Sequence, residues 1–163
     1  MKGRVLVIDD EAGIRRNLSV GLMQEDYAVV ACPDGSSAIH ELNAAREKGI
    51  GFDYLVTDIF MPDIDGLKIL KVIKAEFPEL PVLVITAFGN VETAVAAMKE
   101  GAYDFIGKPF HRDQLLLAVE KARERRRLVL LRDRQPDVHL QHRPLRRVRL
   151  RLRLRLPLRR RRR

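Results

Sequence analysis

The stretch LVTDIFMPDIDG, residues 55–66, sets Asp58 directly behind the apolar run Tyr54–Thr57 and brings Asp63 and Asp65 close after it. A short apolar, β-branched run bounded by turn residues reads as a strand buried on both faces, with Asp58 leaving its carboxyl end. Met61, Pro62 and Asp63 then read as a turn, and Asp65 before GLKILKVIKAEF as the N-cap of a helix. One aspartate is thereby assigned to chemistry and two to shaping the chain.

Working outward, the same strand-then-helix unit recurs. Strands are expected at Val5–Ile8, Tyr27–Ala31, Tyr54–Thr57, Val82–Thr86 and Tyr103–Ile106, with helices beginning near Glu11, Asp34, Asp65, Asn90 and Arg112. Asp34 and Asn90 are good N-cap residues, and Gly101 sits where a helix ends in the left-handed conformation. Leu67, Ile69, Leu70, Ile73 and Phe77 recur on one helical face, as packing on a sheet requires. Repeated βα units of this kind predict an α/β, flavodoxin-like, doubly wound five-stranded parallel sheet of order 2-1-3-4-5 with five helices.

The longest apolar runs fall far short of the roughly 20 residues a membrane helix needs, and MKGRVLVIDDEAG has too short an apolar stretch for a signal peptide. A cytoplasmic protein with no membrane partner is the expectation. The single cysteine, Cys32, excludes an internal disulfide and reads as a small buried hydrophobe. The four histidines lack metal-ligand or triad spacing, which leaves them surface positions. The net charge of +9 is misleading as a whole: residues 1–130 carry 17 Lys and Arg against 20 Asp and Glu, whereas residues 131–163 carry 14 Arg and 2 Asp. All the basic excess lies in the tail.

On the expected strands, Asp9 and Asp10 follow the first and Asp58 the third. Ligands of open parallel sheets bind beyond the carboxyl ends of the strands where the winding reverses, which for this order lies between strands 1 and 3. Three carboxylates sharing that crevice repel one another, so either their proton affinities split or a divalent cation sits among them. An all-oxygen set favours Mg2+, which prefers few carboxylates, several waters and a phosphoryl oxygen. Thr86, ending the fourth strand with its hydroxyl available to donate, and Lys108, two residues past the fifth, complete the crevice. Taken singly each is an ordinary strand-end residue; together they supply the nucleophile, metal site and charge-stabilising donors of an aspartyl-phosphate centre.

VLVIDDE (5–11), LVTDIFMPDIDGL (55–67), VLVITAFG (82–89) and GAYDFIGKPF (101–110), in this order, resemble the response-regulator receiver domain of bacterial two-component systems. GNVETAVAAMKEGAYDFIGKPF is similar to receivers of the nitrogen-regulator class of transcriptional activators. The resemblance implies a receiver domain over 1–125 that accepts a phosphoryl group from a sensor histidine kinase on Asp58. It implies a phosphoacceptor that catalyses its own phosphotransfer and dephosphorylation rather than an enzyme acting on other substrates. Asp10, Asp58 and the backbone carbonyl of Phe60 would ligate Mg2+ directly, and Asp9 through water. Lys108 would contact the phosphoryl group, with the Lys108–Pro109 bond cis. Thr86 and Phe105 would form a switch pair acting on the face of helix 4, strand 5 and helix 5, which would also serve a homodimer. A fixed core aromatic is the equal alternative for Phe105. Phe60 and Phe88 would be bulky neighbours of the phosphoryl group that hinder water.

The output is the open part. Residues 126–163 form a basic Arg/Leu-rich tail, expected to be disordered or an out-of-frame reading of a GC-rich gene, with no room for the ATPase and DNA-binding domains of the class it resembles. DNA would then be reached indirectly or through a missing effector domain. The alternative is a nucleic-acid-binding protein acting through the Arg-rich tail by counterion release. A Mg2+-dependent phosphohydrolase is a third reading, but those enzymes need a second Asp two residues after the nucleophile, and position 60 is Phe.

Overall fold

A computed structural model of the protein describes residues 1–61, 66–87 and 91–133. The elements alternate as β1 (Gly3–Ile8), α1 (Ala12–Met23), β2 (Tyr27–Cys32), α2 (Gly35–Glu47), β3 (Tyr54–Asp58), α3 (Gly66–Glu76), β4 (Val82–Ala87), α4 (Val91–Lys99), β5 (Asp104–Lys108) and α5 (Arg112–Asp133). All strand pairs are parallel and their order is β2-β1-β3-β4-β5, the doubly wound arrangement expected. The expected caps Asp65 and Asn90, the turn at Pro62 and Asp63, Phe88, and the tail beyond Asp133 lie outside the described residues.

Period-two alternation divides each central strand between two cores. Leu6, Ile8, Leu55, Val82 and Val84 pack with Ala38 and Leu42 of α2, Ile69, Leu70 and Ile73 of α3, and Ala97 of α4. Val5, Val7, Tyr54, Val56, Leu83 and Ile85 pack with Leu18 and Leu22 of α1 and with Leu115, Ala118, Val119 and Ala122 of α5. Each fully buried Leu, Ile or Val contributes roughly 2 kcal/mol relative to exposure. Leu67 and Phe77 flank the first core, so the expected apolar stripe of α3 faces the sheet. Cys32 is buried within the same core, which pushes its thiol up to about 11.

Local chemistry sets the ends of the elements. The Asp34 carboxylate caps α2 by accepting from the Ser37 amide at 2.7 Å. Gly101 closes α4 at φ +98°, where a side chain would be strained. Gly66 opens α3 against the end of β3: a Cβ there would lie 2.2 Å from the Ile59 carbonyl oxygen, so this helix can approach the site only without a side chain.

Strand ends differ from expectation in a consistent way. Asp58 is the last residue of β3 rather than the first beyond it, and Lys108 lies inside β5, paired with Ala87, rather than two residues past its end. Ladder pairing extends the strands through polar residues because their backbone groups find partners whatever the side chain. Tyr103 falls outside β5, although its amide donates to the Val82 carbonyl at 2.8 Å.

At the opposite end of the sheet Tyr27 donates a 2.6 Å hydrogen bond to Glu120 of α5 and meets the Tyr54 ring edge-on at 6.2 Å. The Tyr27 hydroxyl, with Lys2 and Arg123 adding to it, holds the Glu120 carboxyl below its ordinary value. A depressed folded value means a contribution present above the unfolded glutamate pKa and lost as pH falls through the folded one. Tyr27→Phe should therefore cost about 0.5–1 kcal/mol near neutral pH, small because Glu120 is partly exposed, and the difference from wild type should shrink below about pH 4. Denaturant unfolding of both proteins at pH 7 and pH 3.5 checks this.

Candidate functional site

The alternation that builds the cores also aims the site. Along β1, β3 and β5, the residues facing the α1–α5 side are Val5 and Val7, then Tyr54 and Val56, then Ile106. Two residues further on come Asp9, Asp58 and Lys108, whose side chains converge beyond the carboxyl ends of the neighbouring strands β1 and β3 and of β5, which β4 separates from β3. The Lys108 ammonium lies 2.8 Å from Asp58 Oδ2 and 3.2 Å from Asp9 Oδ2. Asp9 and Asp58 are buried and Asp10 is exposed, yet each offers a carboxylate oxygen to a group lying within 4.8 Å of one another.

The second oxygen of each buried carboxylate is also held. Asp9 Oδ1 accepts from the Glu11 amide at 2.9 Å and Asp58 Oδ1 from the Phe60 amide at 3.0 Å. Arg15 of α1 donates to the Asp9 carbonyl at 2.7 Å, fixing the turn between β1 and α1. Burial holds the Asp9 carboxyl above its ordinary value and Asp58 adds to this, against the lowering by the Glu11 amide and by Lys108. Burial pulls the Lys108 ammonium down, but its bonds to Asp58 and the charges of Asp58 and Asp9 more than offset that, so the net shift is upward. Three carboxyl groups thus share the pocket with the Lys108 ammonium, and their all-oxygen donors suit a hard divalent cation.

Thr86 and Phe105 take the other face. Counting in twos from Val82 and Val84 places Thr86 toward α3 and α4, where it is fully buried. Its hydroxyl is engaged rather than available, donating to the Ala87 carbonyl at 3.3 Å. Phe105, opposite Val84 in the β4–β5 ladder, is 41% exposed. The alternative of a fixed core aromatic is therefore overturned: β5 is the edge strand, and the side chain borders an open apolar groove of about 500 Å3 with Val91, Val95 and Met98 of α4. The Lys108–Pro109 peptide is cis, as expected. Phe60 is exposed at the rim of the site, while His40 and His111 are exposed at the surface.

Motif spacing did not point to Glu11 and Phe60 as amide donors, to Arg15, or to Gly66. Gly66 alone left a trace, as the glycine after Asp65. Nor did it show the apolar cleft of about 520 Å3 between α1 and α5, where Ile14, Leu18, Phe110 and Leu115 lead up to Lys108.

The sequence profile of the response regulator receiver domain matches residues 5–120. The chain belongs to the response regulator receiver domain family. Receiver domains are phosphoacceptors of two-component signalling, phosphorylated by sensor histidine kinases, and they bind Mg2+ at acidic residues. The nitrogen assimilation regulatory protein NtrX of Azorhizobium caulinodans is 41% identical over 126 residues, 76% of this chain and 27% of that protein. The transcriptional regulatory protein FixJ of Bradyrhizobium diazoefficiens is 38% identical over 121 residues, 74% of this chain and 57% of that one. A crystal structure of NtrX from Brucella abortus superposes with a TM-score of 0.75 at 38% identity, covering 82% of this chain and 29% of that one. Its receiver domain alone gives 0.68 at 40% identity, covering 74% of this chain and 98% of the domain. The chain thus spans between 24% and 57% of the length of the first three curated relatives it matches. None of these likenesses supports the nucleic-acid-binding alternative. Among the described residues no helix is long and apolar enough to cross a membrane.

If the three aspartates hold Mg2+ in this receiver, the ion binds the folded state and stabilises it by mass action. At ten times its dissociation constant it adds ~1.4 kcal/mol, a rise in Tm of about 4 °C. Thermal melts with and without MgCl2 should show that rise in wild type and its loss in Asp10→Asn.

Proposed function

We propose that Asp58 is the phosphoacceptor and that a sensor histidine kinase is the donor, with Mg2+ as cofactor. The observation that carries this reading is the Lys108 ammonium, 2.8 Å from Asp58 Oδ2 inside a cluster of three carboxylates beyond β1 and β3. An Asp58 carboxylate oxygen attacks phosphorus, a P–O bond forms as the P–N bond of the donor phosphohistidine breaks, and the electron pair stays with the imidazole nitrogen. Asp10, Asp58 and the Phe60 carbonyl would hold the ion directly and Asp9 through water. When bound, Mg2+ supplies positive charge against the phosphoryl oxygens. Lys108 moves its contact from the carboxylate to the phosphoryl group, and the Phe60 amide keeps the carboxylate oriented. Dephosphorylation uses the same groups in place: water attacks phosphorus as the bond from phosphorus to the Asp58 oxygen breaks, the electron pair returns to the carboxylate, and inorganic phosphate leaves with the water's protons.

Phosphorylation adds roughly −1.5 to −2 charge and three acceptor oxygens. In our reading the Thr86 hydroxyl leaves the Ala87 carbonyl for a phosphoryl oxygen, and Phe105 turns from its exposed position into the space vacated. What supports the pair is their shared face of the sheet and the weak 3.3 Å bond that Thr86 would exchange. The movement would reshape the face of α4, β5 and α5, whose apolar groove we assign to pairing with a second copy. Output would pass through a partner or an effector domain, which is also how DNA would be reached. A receiver domain over 1–125, an out-of-frame reading beyond α5 and a cytoplasmic location belong to the same proposal; residues 126–133, expected to belong to a disordered or out-of-frame tail, instead continue α5.

Incubation with MgCl2 and acetyl phosphate tests the acceptor. Wild type should gain an acid-stable, base-labile phosphate that Asp58→Asn lacks, and equal labelling of both would sink the assignment. Phe60, 54% exposed at the rim, should shield that phosphate from water. Phe60→Asn is expected to shorten its lifetime several-fold, read as phosphate release after the donor is removed; an unchanged lifetime would remove Phe60 from the account.

A further inference from the structure

The profile of the family ends at residue 120, yet α5 runs on to Asp133. From Arg123 to Arg132 its residues are exposed, apart from the half-buried Arg126. Arg126 reaches across the base of the sheet: its Nη1 donates to the Phe52 carbonyl at 2.9 Å and to Asp53 Oδ1 at 3.0 Å. The receiving side is already built. Asp53 Oδ2 accepts from the Arg4 amide at 2.8 Å, the Asp53 amide donates to the Arg4 carbonyl at 2.8 Å, and the Arg4 guanidinium covers the Phe52 ring at 4.6 Å. Gly3 leaves room for this, since a Cβ there would stand 2.9 Å from Asp53 Oδ2.

The segment that Arg126 secures is unusual. Leu128, Val129, Leu130 and Leu131 follow one another at 100° steps around the helix, and all four are exposed. A helix turn that is apolar all round is ordinarily buried. Here it lies between two grooves against the body of the domain, with Leu130 lining both. The fastening itself is modest. The ion pair has side chains 29% and 38% exposed, which screens it, and beside it Arg125 lies over the Tyr103 ring at 5.5 Å.

We propose that Arg126 and Asp53 form a latch that holds the end of α5 on the base of the sheet, and that opening it lifts Val129, Leu130 and Leu131 off the grooves they line. The latch receptor opens β3, the strand that ends in Asp58, so the helix end is tied to the segment carrying the site. The geometry stands whatever the chemistry of Asp58.

Amide hydrogen exchange on the full chain tests it. In Arg126→Ala the amides of residues 127–132 should exchange about tenfold faster than in wild type, with amides of β1 and β3 unchanged. Asp53→Asn, which keeps the acceptor oxygen but loses the charge, should give a smaller acceleration. Arg126→Lys should restore protection in part, because it keeps the charge and loses the planar fork. Equal exchange of 127–132 in wild type and Arg126→Ala would overturn the latch. So would acceleration of the core and the helix end together, which would make Arg126 a general stabiliser instead.

Discussion

Two buried carboxylates lie on either side of one ammonium, and the rest of the site is arranged around that imbalance. Lys108 touches both Asp9 and Asp58, while Asp10 adds a third negative group within reach of a shared cation. In a low-dielectric setting such a cluster cannot shed its charge into water, so it binds protons or cations, or it stays strained. A receiver uses this poise directly. On the proposed reading, the carboxylate cluster that would hold a divalent ion would also make the pocket sensitive to one more anionic group.

The convergence is produced by the sheet and not by local sequence. Parallel strands in the order β2-β1-β3-β4-β5 put the ends of β1 and β3 side by side, and the two-residue alternation turns Asp9, Asp58 and Lys108 to one face. The same alternation sends Thr86 and Phe105 to the other. On the proposed reading, a signal crossing from Asp58 to the α4 face would pass through the sheet at the end of β4, where Thr86 is the buried polar side chain. Gly66 constrains the other approach, because α3 rests on the backbone of Ile59, one residue beyond Asp58.

Most of this architecture could be read from the chain. Five apolar runs, their spacing and the carboxylates behind the first and third gave the order of elements and the membership of the site. Strand ends could not be read, since Asp58 and Lys108 join their ladders through backbone bonds that side-chain polarity does not reveal. Phe105 was ambiguous because an aromatic in an edge strand carries the same local signal whether α4 covers it or leaves a groove. The pairing of Arg126 with Asp53 joins residues 73 apart, and nothing local distinguishes that arginine from its neighbours Arg125 and Arg127. Long-range partners of charged residues on an exposed helix become visible only once the helix has been laid on the sheet.

The tyrosines have a consequence for how the molecule can be watched. Tyr27 and Tyr54 meet edge-on near the amino ends of their strands, Tyr103 lies under Arg125, and the chain has no tryptophan. All three tyrosines thus sit at the base of the domain, at the opposite end of the strands from Asp58. Native tyrosine emission reports on the footing of α5 and is nearly blind to the Asp58 pocket, so an optical signal from that pocket calls for an indole placed at its rim, with Phe60 as the natural position.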